Sequence, residues 1–540
     1  MITLKKMVHV CGVLLLLFIA AGCSKKETEK TVSAKAITVA TTSESGSLDP
    51  AGVIANTYLA YSVSALDELL TFDGSGNILY RGAESHEQSS DALVWTFHLR
   101  RNAKWSDGSP VTAKDYINTA QRALNPKCGN GYSDYLFYIE NARKIYRGEA
   151  ALNTLGIEAP DDYTLVFKLE TPCVFFLDLL RLPVYTPSYS KYATDTGTGW
   201  DTNPATSVAN GPFYLSEYVS NQYFILKKNE HYWDKDRIKL DQITYRFLND
   251  QQATANAYKT NEVDIAPLVQ AYIIEQYKGK PDLVMNPMIA TRYFYPNLKV
   301  AALQDVRVRK AIALAINRKE LCEIVGADTV PTYNHVAKFM RDKTTGNFFV
   351  DDVDPMFKES VEEAKRLLAE AGYPDGAGFP NITYNYPSIE MDSDTAQVLQ
   401  AQLKENLNIN VTLNAQELQV NYSERRQGNF QLCRMNWTAD FADPSTYLSM
   451  LATGGTYNCS GVSNAEYDSL LAQSDAETDP VKRAALLHRA EKISVGDNFY
   501  IIPLFAMTSV NLVNPRITGI NTIAASGVME YRYADINGSK

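Results

Sequence analysis

Strand-like and helix-like segments alternate along this chain without a fixed repeat. Residues 93–100 (LVWTFHLR) and 162–169 (DYTLVFKL) have strand composition. Residues 305–316, 356–371 and the segment that begins at Asp479-Pro480 carry helix-start signals and helical apolar stripes. The absence of a 20–50-residue period excludes solenoids and propellers. Because 540 residues need more than one core, we expect a mixed α/β chain with several sheets in two or three domains.

The N-terminus has the pattern of an export signal. Lys5 and Lys6 precede an apolar run at 13–21, which is shorter than the roughly 20 residues that a membrane-spanning helix needs. The run ends in Ala-Ala-Gly-Cys23, which resembles the lipobox of bacterial lipoproteins. We therefore expect a signal peptide at 1–23, lipid attachment at Cys23 and a polar, flexible tether at 24–36. The alternative is an ordinary signal peptide with a chance cysteine.

Charge and cysteine content narrow the classes of partner. The net charge is -10 and the basic residues are scattered, which argues against nucleic acid. Of seven cysteines, Cys11 leaves with the signal and Cys23 is lipidated, so five remain and at least one thiol is unpaired. Cys433 and Cys459 flank one region, and whether they pair is left open. The cysteines form no CxxC spacing, so they do not indicate a metal site.

Local signatures of catalysis are missing from the sequence. There is no GxSxG, no P-loop and no HExxH. Residues 195–197 (DTG) match half of an aspartic protease dyad, but there is no second copy to share the proton. We expect neither an enzyme nor a bound cofactor or metal.

A series of sequence blocks runs along nearly the whole mature chain. The longest block is 95–115 (WTFHLRRNAKWSDGSPVTAKD). The others are 47–50 (SLDP), 210–215 (NGPFYL), 229–233 (NEHYW), 305–317 (DVRVRKAIALAIN), 437–444 (WTADFADP) and 467–470 (YDSL). In order and spacing, these blocks resemble family 5, the peptide/nickel-type solute-binding proteins of ABC importers, and above all the oligopeptide-binding proteins.

The resemblance implies a periplasmic-binding-protein-like α/β fold, pear-shaped, with three lobes, a hinge and a central ligand cleft. Lobe I would comprise residues 37–70, 205–288 and 508–540. Lobe II would be 71–204 and lobe III 289–507. Hinged closure of the lobes on the ligand is the expected motion.

The resemblance also implies a peptide site. A protein that binds many peptides must bind the backbone, the N-terminal ammonium and the C-terminal carboxylate that all peptides share. In the family an Asp in a Trp-x-Ala-Asp motif pairs with the ammonium, which here is Asp440. Asp443, before Pro444, better fits a helix-capping or loop role. Backbone hydrogen bonds would come from 434–438, which includes Asn436 and Thr438, and Trp437 would wall a pocket.

The carboxylate end depends on cations. Arg425 and Arg434 match arginines that meet the ligand's carboxylate in the family, and a guanidinium can bind a carboxylate through two hydrogen bonds. Tyr132 aligns with a tyrosine near the ligand. A lysine and a histidine used by Gram-negative oligopeptide binders are missing from the matching stretches 324–326 and 388–392. The cysteines of a lobe III disulfide found in some members correspond to Ala290 and Thr438.

The sequence thus predicts a monomeric, lipid-anchored binding protein that captures short, extended peptides for an ABC transporter permease and ATPase. It would lie on the extracytoplasmic face of the cell membrane, which is the outer surface in a Gram-positive cell and the periplasmic side otherwise. The alternative is the same fold with a non-peptide ligand, such as an oligosaccharide, a nickel chelate or haem.

Overall fold

A computed structural model describes residues 35–41, 47–52, 56–72, 77–128, 132–194, 199–342, 345–455, 457–523 and 526–537. The predicted signal peptide, Cys23 and all but the last two residues of the predicted tether lie outside these ranges. No helix among the described residues is both long enough and apolar enough to cross a membrane.

Strands and helices alternate along the described chain. The strands are β1 Ala36–Thr41, β2 Leu70–Phe72, β3 Ile78–Tyr80, β4 Ala83–Gln88, β5 Val94–Leu99, β6 Ile157–Asp161, β7 Thr164–Lys168, β8 Phe213–Val219, β9 Tyr223–Lys228, β10 Gln242–Phe247, β11 Ile265–Leu268, β12 Leu283–Pro296, β13 Val330–Pro331, β14 Ile382–Pro387, β15 Val411–Gln416, β16 Leu432–Thr438, β17 Ile502–Val513, β18 Ile517–Thr518, β19 Asn521–Thr522, β20 Met529–Glu530 and β21 Asp535–Ile536. The α-helices are α1 Asn56–Ala65, α2 Ala113–Leu124, α3 Ala142–Tyr146, α4 Phe176–Leu179, α5 Gln251–Lys259, α6 Ala271–Tyr277, α7 Ala301–Gln304, α8 Val306–Leu314, α9 Arg318–Val325, α10 Val361–Glu370, α11 Glu390–Leu407, α12 Leu418–Gln427, α13 Ser445–Leu448, α14 Ala465–Ala476 and α15 Pro480–Glu491. The predicted mixed α/β class is confirmed.

One large sheet joins strands from distant parts of the chain. Its order is β15-β14-β16-β12-β17-β11-β1-β10-β9-β8, and β13 pairs with β17. The long strands β12 and β17 lie side by side at its centre. The predicted boundaries of lobes I and III, at 288/289 and 507/508, fall inside these two strands. Their pairing register shifts between Pro287 and Thr291, so the ladder is irregular where that boundary is predicted.

A smaller antiparallel sheet of order β4-β5-β7-β6 belongs to residues 83–168. Its inward side chains, with Trp105 and parts of α2 and α4, form a core built almost entirely from residues 51–185. Among the described residues, the one buried member of this core from outside 51–185 is Phe441, which is 4% exposed. The loop after β16 therefore packs into the predicted lobe II.

Several helix boundaries follow from capping side chains. Asp305 accepts a hydrogen bond from the Arg307 amide at the start of α8, and Asp479 accepts from the first turn of α15. Both starts were predicted. The helix predicted at 356–371 begins instead at Val361, because the Ser360 hydroxyl caps the Glu363 amide and sets the first turn there.

Candidate functional site

The candidate site is built on β16 and the loop that follows it. β16 lies between β14 and β12, and residues 434–438, which were expected to supply backbone contacts, are its last five residues. Its register with β12 places Thr438 opposite Ala290 and Asn436 opposite Arg292. Ala290 and Thr438 are thus direct cross-strand neighbours, as the correspondence with a disulfide position implies.

Asp440 lies just beyond the end of β16 and is held by two tyrosines. Tyr132 donates its hydroxyl to Oδ1 at 2.9 Å, and Tyr135 donates to Oδ2. Both tyrosines come from the short 3-10 segment around Ser133–Tyr138. Tyr132 was anticipated from the sequence, whereas Tyr135 was not.

Burial dominates the electrostatics of Asp440. It raises the pKa of the carboxyl to about 6, although the hydrogen bonds from Tyr135 and Tyr132 lower it. Among the described residues, no basic side chain lowers this pKa. A buried carboxylate is costly unless it is paired. Among the described residues, Asp440 has hydrogen-bond donors but no counter-ion, so it can accept a cation from a ligand.

The aromatic neighbour of Asp440 fixes the loop in place. Phe441 stacks on Phe175 with ring centroids 5.0 Å apart and an angle of 12° between the planes. Tyr135 meets Phe441 edge-on at 5.8 Å. The side chains that hold the Asp440 loop therefore come from residues 132–175, within the predicted lobe II.

Asp443 has the structural role expected of it. It forms two hydrogen bonds with the Arg483 guanidinium, at 2.7 and 2.9 Å, and accepts from the Ser445 amide at 3.0 Å. Burial alone would raise the pKa of Asp443, but Arg483 and Ser445 hold it below its usual value. Its charge is already neutralised within the protein.

Trp437 and Tyr457 form an aromatic wall beside the strand. Their rings are in T-shaped contact, with centroids 4.8 Å apart. Trp437 Nε1 donates to the Thr446 hydroxyl at 3.2 Å, which fixes the indole. Burial, Asp134 and Asp440 raise the pKa of the Tyr457 hydroxyl. Arg426 and Arg425 lower it, so Tyr457 lies within the electrostatic reach of both Asp440 and these arginines. Sequence reasoning missed Tyr457.

The two predicted carboxylate-binding arginines have different surroundings. Arg434 Nε lies 2.8 Å from Asp392 Oδ1, and Arg292 Nη1 lies 2.6 Å from the same oxygen. Arg425, at the end of α12, is 7% exposed and has its guanidinium 4.9 Å from the Tyr422 ring centroid. Cys433 and Cys459, the possible disulfide pair, are both free thiols.

Comparison with known proteins identifies the family. The model of the bacterial extracellular solute-binding proteins, family 5, matches residues 79–459. The chain belongs to this family. Family 5 relatives include the periplasmic oligopeptide-binding protein OppA of Escherichia coli (strain K12), which is 31% identical over 88% of each chain. The probable deoxycholate-binding periplasmic protein YgiS of the same organism is 32% identical over 88% of this chain and 89% of its own.

Solved structures of family 5 members share the fold. Listeria monocytogenes OppA bound to peptide has a TM-score of 0.82 and 27% identity, over 94% of this chain and all of that one. The murein tripeptide binding protein MppA of Escherichia coli has a TM-score of 0.83 and 28% identity, over 94% and 99% of the two chains. The expected periplasmic-binding-protein-like fold is confirmed. Family 5 proteins are solute-binding components of transport.

Proposed function

We propose that this protein is the lipid-anchored, extracytoplasmic binding protein of an ABC importer, and that it captures short peptides in extended form. Asp440 would pair with the peptide's N-terminal ammonium. The strand residues 434–438 would supply backbone hydrogen bonds, and Trp437 would wall a side-chain pocket. The permease and ATPase of the importer would receive the peptide from the bound complex.

The proposal rests on one observation, that the Asp440 carboxyl is buried without a counter-ion among the described residues. Its carboxyl is buried enough to raise its pKa to about 6, it has two tyrosine donors, and no cation of the described residues contributes to its pKa. A ligand ammonium would supply the missing charge and a third hydrogen-bonding partner. The names of relatives that bind oligopeptides support this choice of ligand.

A non-peptide ligand fits this site less well than a peptide does. Deoxycholate, the ligand in the name of one relative, has a carboxylate that Arg425 would suit, but it has no cation for Asp440. A neutral oligosaccharide would also leave Asp440 unpaired. A free peptide carries both charges, and the site has both an acidic and a basic residue to meet them.

Native mass spectrometry of the purified protein tests the proposal. We expect bound masses that match peptides of two to eight residues and that disappear after the protein is unfolded and refolded. The emptied protein should then take up added alanine peptides. A bound bile acid, saccharide, haem or nickel chelate, together with failure to bind any added peptide, would contradict the proposal.

A further inference from the structure

Arg434 is a residue of β16, whereas Arg425 is on α12, and the two side chains lie on opposite sides of β16. Side chains directly opposite each other in an antiparallel pair point to the same face, and successive residues alternate. Cys433 pairs with Tyr295 on one face, while Arg434 pairs with Phe294 on the other. Arg425 hydrogen-bonds to Cys459, which packs in one cluster with Tyr295 and Cys433, so Arg425 lies on the Cys433 side of the strand.

The face that carries Arg434 already contains a counter-ion. Asp392, from α11, is completely buried and its Oδ1 contacts both Arg434 and Arg292. Burial and the neighbouring Arg434 lower the pKa of Arg292 to about 10, although Asp392 opposes this. A ligand carboxylate that recruited Arg434 would have to compete with Asp392 for it. Removing one partner of a buried ion pair is strongly unfavourable.

Arg425 has no such partner. Among the residues that the structure describes, no carboxylate lies within ion-pair distance of it, and its buried Nη1 lacks a hydrogen bond. Although it has no anion partner among these residues, Arg425 is buried, with a relative exposure of 7%. Burying a guanidinium is costly unless its N–H groups are hydrogen-bonded or an anion pairs with it, and a ligand carboxylate would supply both to Arg425. On this face, Asp440 raises the pKa of the Tyr457 hydroxyl and Arg425 lowers it.

We infer that Asp392, together with Arg292, is a specificity-determining residue that withdraws Arg434 from the ligand and leaves Arg425 as the cation for its carboxylate. The inference rests on the proposed peptide function. Asp392 acts through Arg434 and does not touch the peptide. The accepted peptide is then one whose two charged ends reach Asp440 and Arg425 on the Trp437 face of β16.

Calorimetric titration with matched ligands tests this assignment. The ligands are alanine peptides of three to five residues and their C-terminal amides, which lack the carboxylate charge. In the wild type the free acid should bind at least about 30-fold more tightly than the amide, as is typical for loss of one partner of a buried charge pair. Arg425→Gln should abolish this preference, and Arg425→Lys should keep part of it. Arg434→Gln should weaken both ligands equally, because Arg434 is structural.

A rescue experiment tests whether Asp392 controls the preference for the free acid or only supports the fold. In the Arg425→Gln background, Asp392→Asn frees Arg434 and should restore about tenfold or more of the preference for the free acid. Asp392→Leu, which cannot hydrogen-bond to the arginines, should rescue equally, since the charge is what matters. Unfolding of each variant is measured to confirm that it is folded.

The outcomes are distinguishable. Loss of the preference in Arg434→Gln with retention in Arg425→Gln overturns the inference, as does the absence of rescue in two folded double variants. If the wild type binds no alanine peptide at all, the peptide function fails instead. Equal binding of acid and amide to a wild type that binds both tightly would also overturn the assignment of Arg425.

Discussion

The ring of Phe441 stacks on that of Phe175, with centroids 5.0 Å apart. These residues are far apart in sequence, and their contact packs the loop after β16 into the core of residues 51–185. Asp440 is the preceding residue and is held by Tyr132 and Tyr135 from that same part of the chain. Aromatic packing and two hydrogen bonds therefore position the carboxylate together.

Replacement of Phe441 by alanine should destabilise the protein. A buried Phe→Ala change typically costs about 3–5 kcal/mol, and Phe441 is 4% exposed. Denaturant unfolding measures this loss. Phe441→Tyr keeps the stacked ring and is the matched control. An unfolding midpoint for Phe441→Ala equal to that of the wild type would show that the stacking does not stabilise the loop.

The Asp443–Arg483 ion pair should matter for stability and not for the choice of peptide end group. Removing either charge leaves the other buried, which typically costs about 3–5 kcal/mol. We expect Asp443→Asn and Arg483→Met each to lower the free energy of unfolding, and the double variant to lose less than their sum. A double-mutant cycle by urea unfolding measures the coupling. Strictly additive losses would contradict a direct pair.

The affinity for peptides with a free amine should depend on pH around the pKa of Asp440. Burial raises that pKa to about 6 from an unfolded value near 3.9. In the ligand-free protein this raised pKa contributes stability that is present below about pH 4 and is lost as pH rises through about 6. The ammonium instead needs the ionised carboxylate, so affinity should increase with pH through about 6 and then level off.

Calorimetry between pH 4.5 and 7.5 measures that dependence. The Asp440→Asn variant is the control, because its amide does not titrate and its residual affinity should vary little over this range. A wild-type affinity that stays flat through pH 6, or that increases as pH falls, would contradict the assignment of the ammonium to Asp440.

Lipid attachment at Cys23 is testable independently of the ligand. Cys23→Ala should release the protein from the membrane fraction or block signal cleavage, since acyl chains on Cys23 would be its membrane anchor. Cys11→Ala, within the signal itself, is the control and should leave fractionation unchanged. A Cys23→Ala protein that is cleaved normally and stays with the membrane would exclude the lipobox interpretation.

Part of this architecture was predictable from the sequence. The family blocks gave the fold class, and the Trp-x-Ala-Asp motif pointed to Asp440 before its surroundings were known. The starts of α8 and α15 were predictable because Asp305 and Asp479 cap them through their own side chains. Local signals of this kind depend only on neighbours in the chain.

The rest depends on contacts between distant segments. Tyr135 lies 305 residues before Asp440, and Asp392 lies 42 residues before Arg434. No local pattern indicates that an arginine already has a buried partner. Resemblance alone assigned the ligand's carboxylate to both Arg425 and Arg434, whereas the strand register and the position of α11 show that their surroundings differ.

The most direct test of the account is a double-mutant cycle on the ammonium site. Wild type and Asp440→Asn are titrated calorimetrically with alanine peptides of three to five residues and with their N-acetylated forms. The substitution keeps the shape of the side chain and removes its charge. Loss of one partner of a buried ion pair typically costs about 2–5 kcal/mol, which is roughly 30- to 4,000-fold in affinity. We expect that loss for the free peptides and a much smaller one for the acetylated peptides, which should already bind the wild type poorly. Equal weakening of free and acetylated peptides by Asp440→Asn would show that Asp440 is structural and would contradict the proposed site.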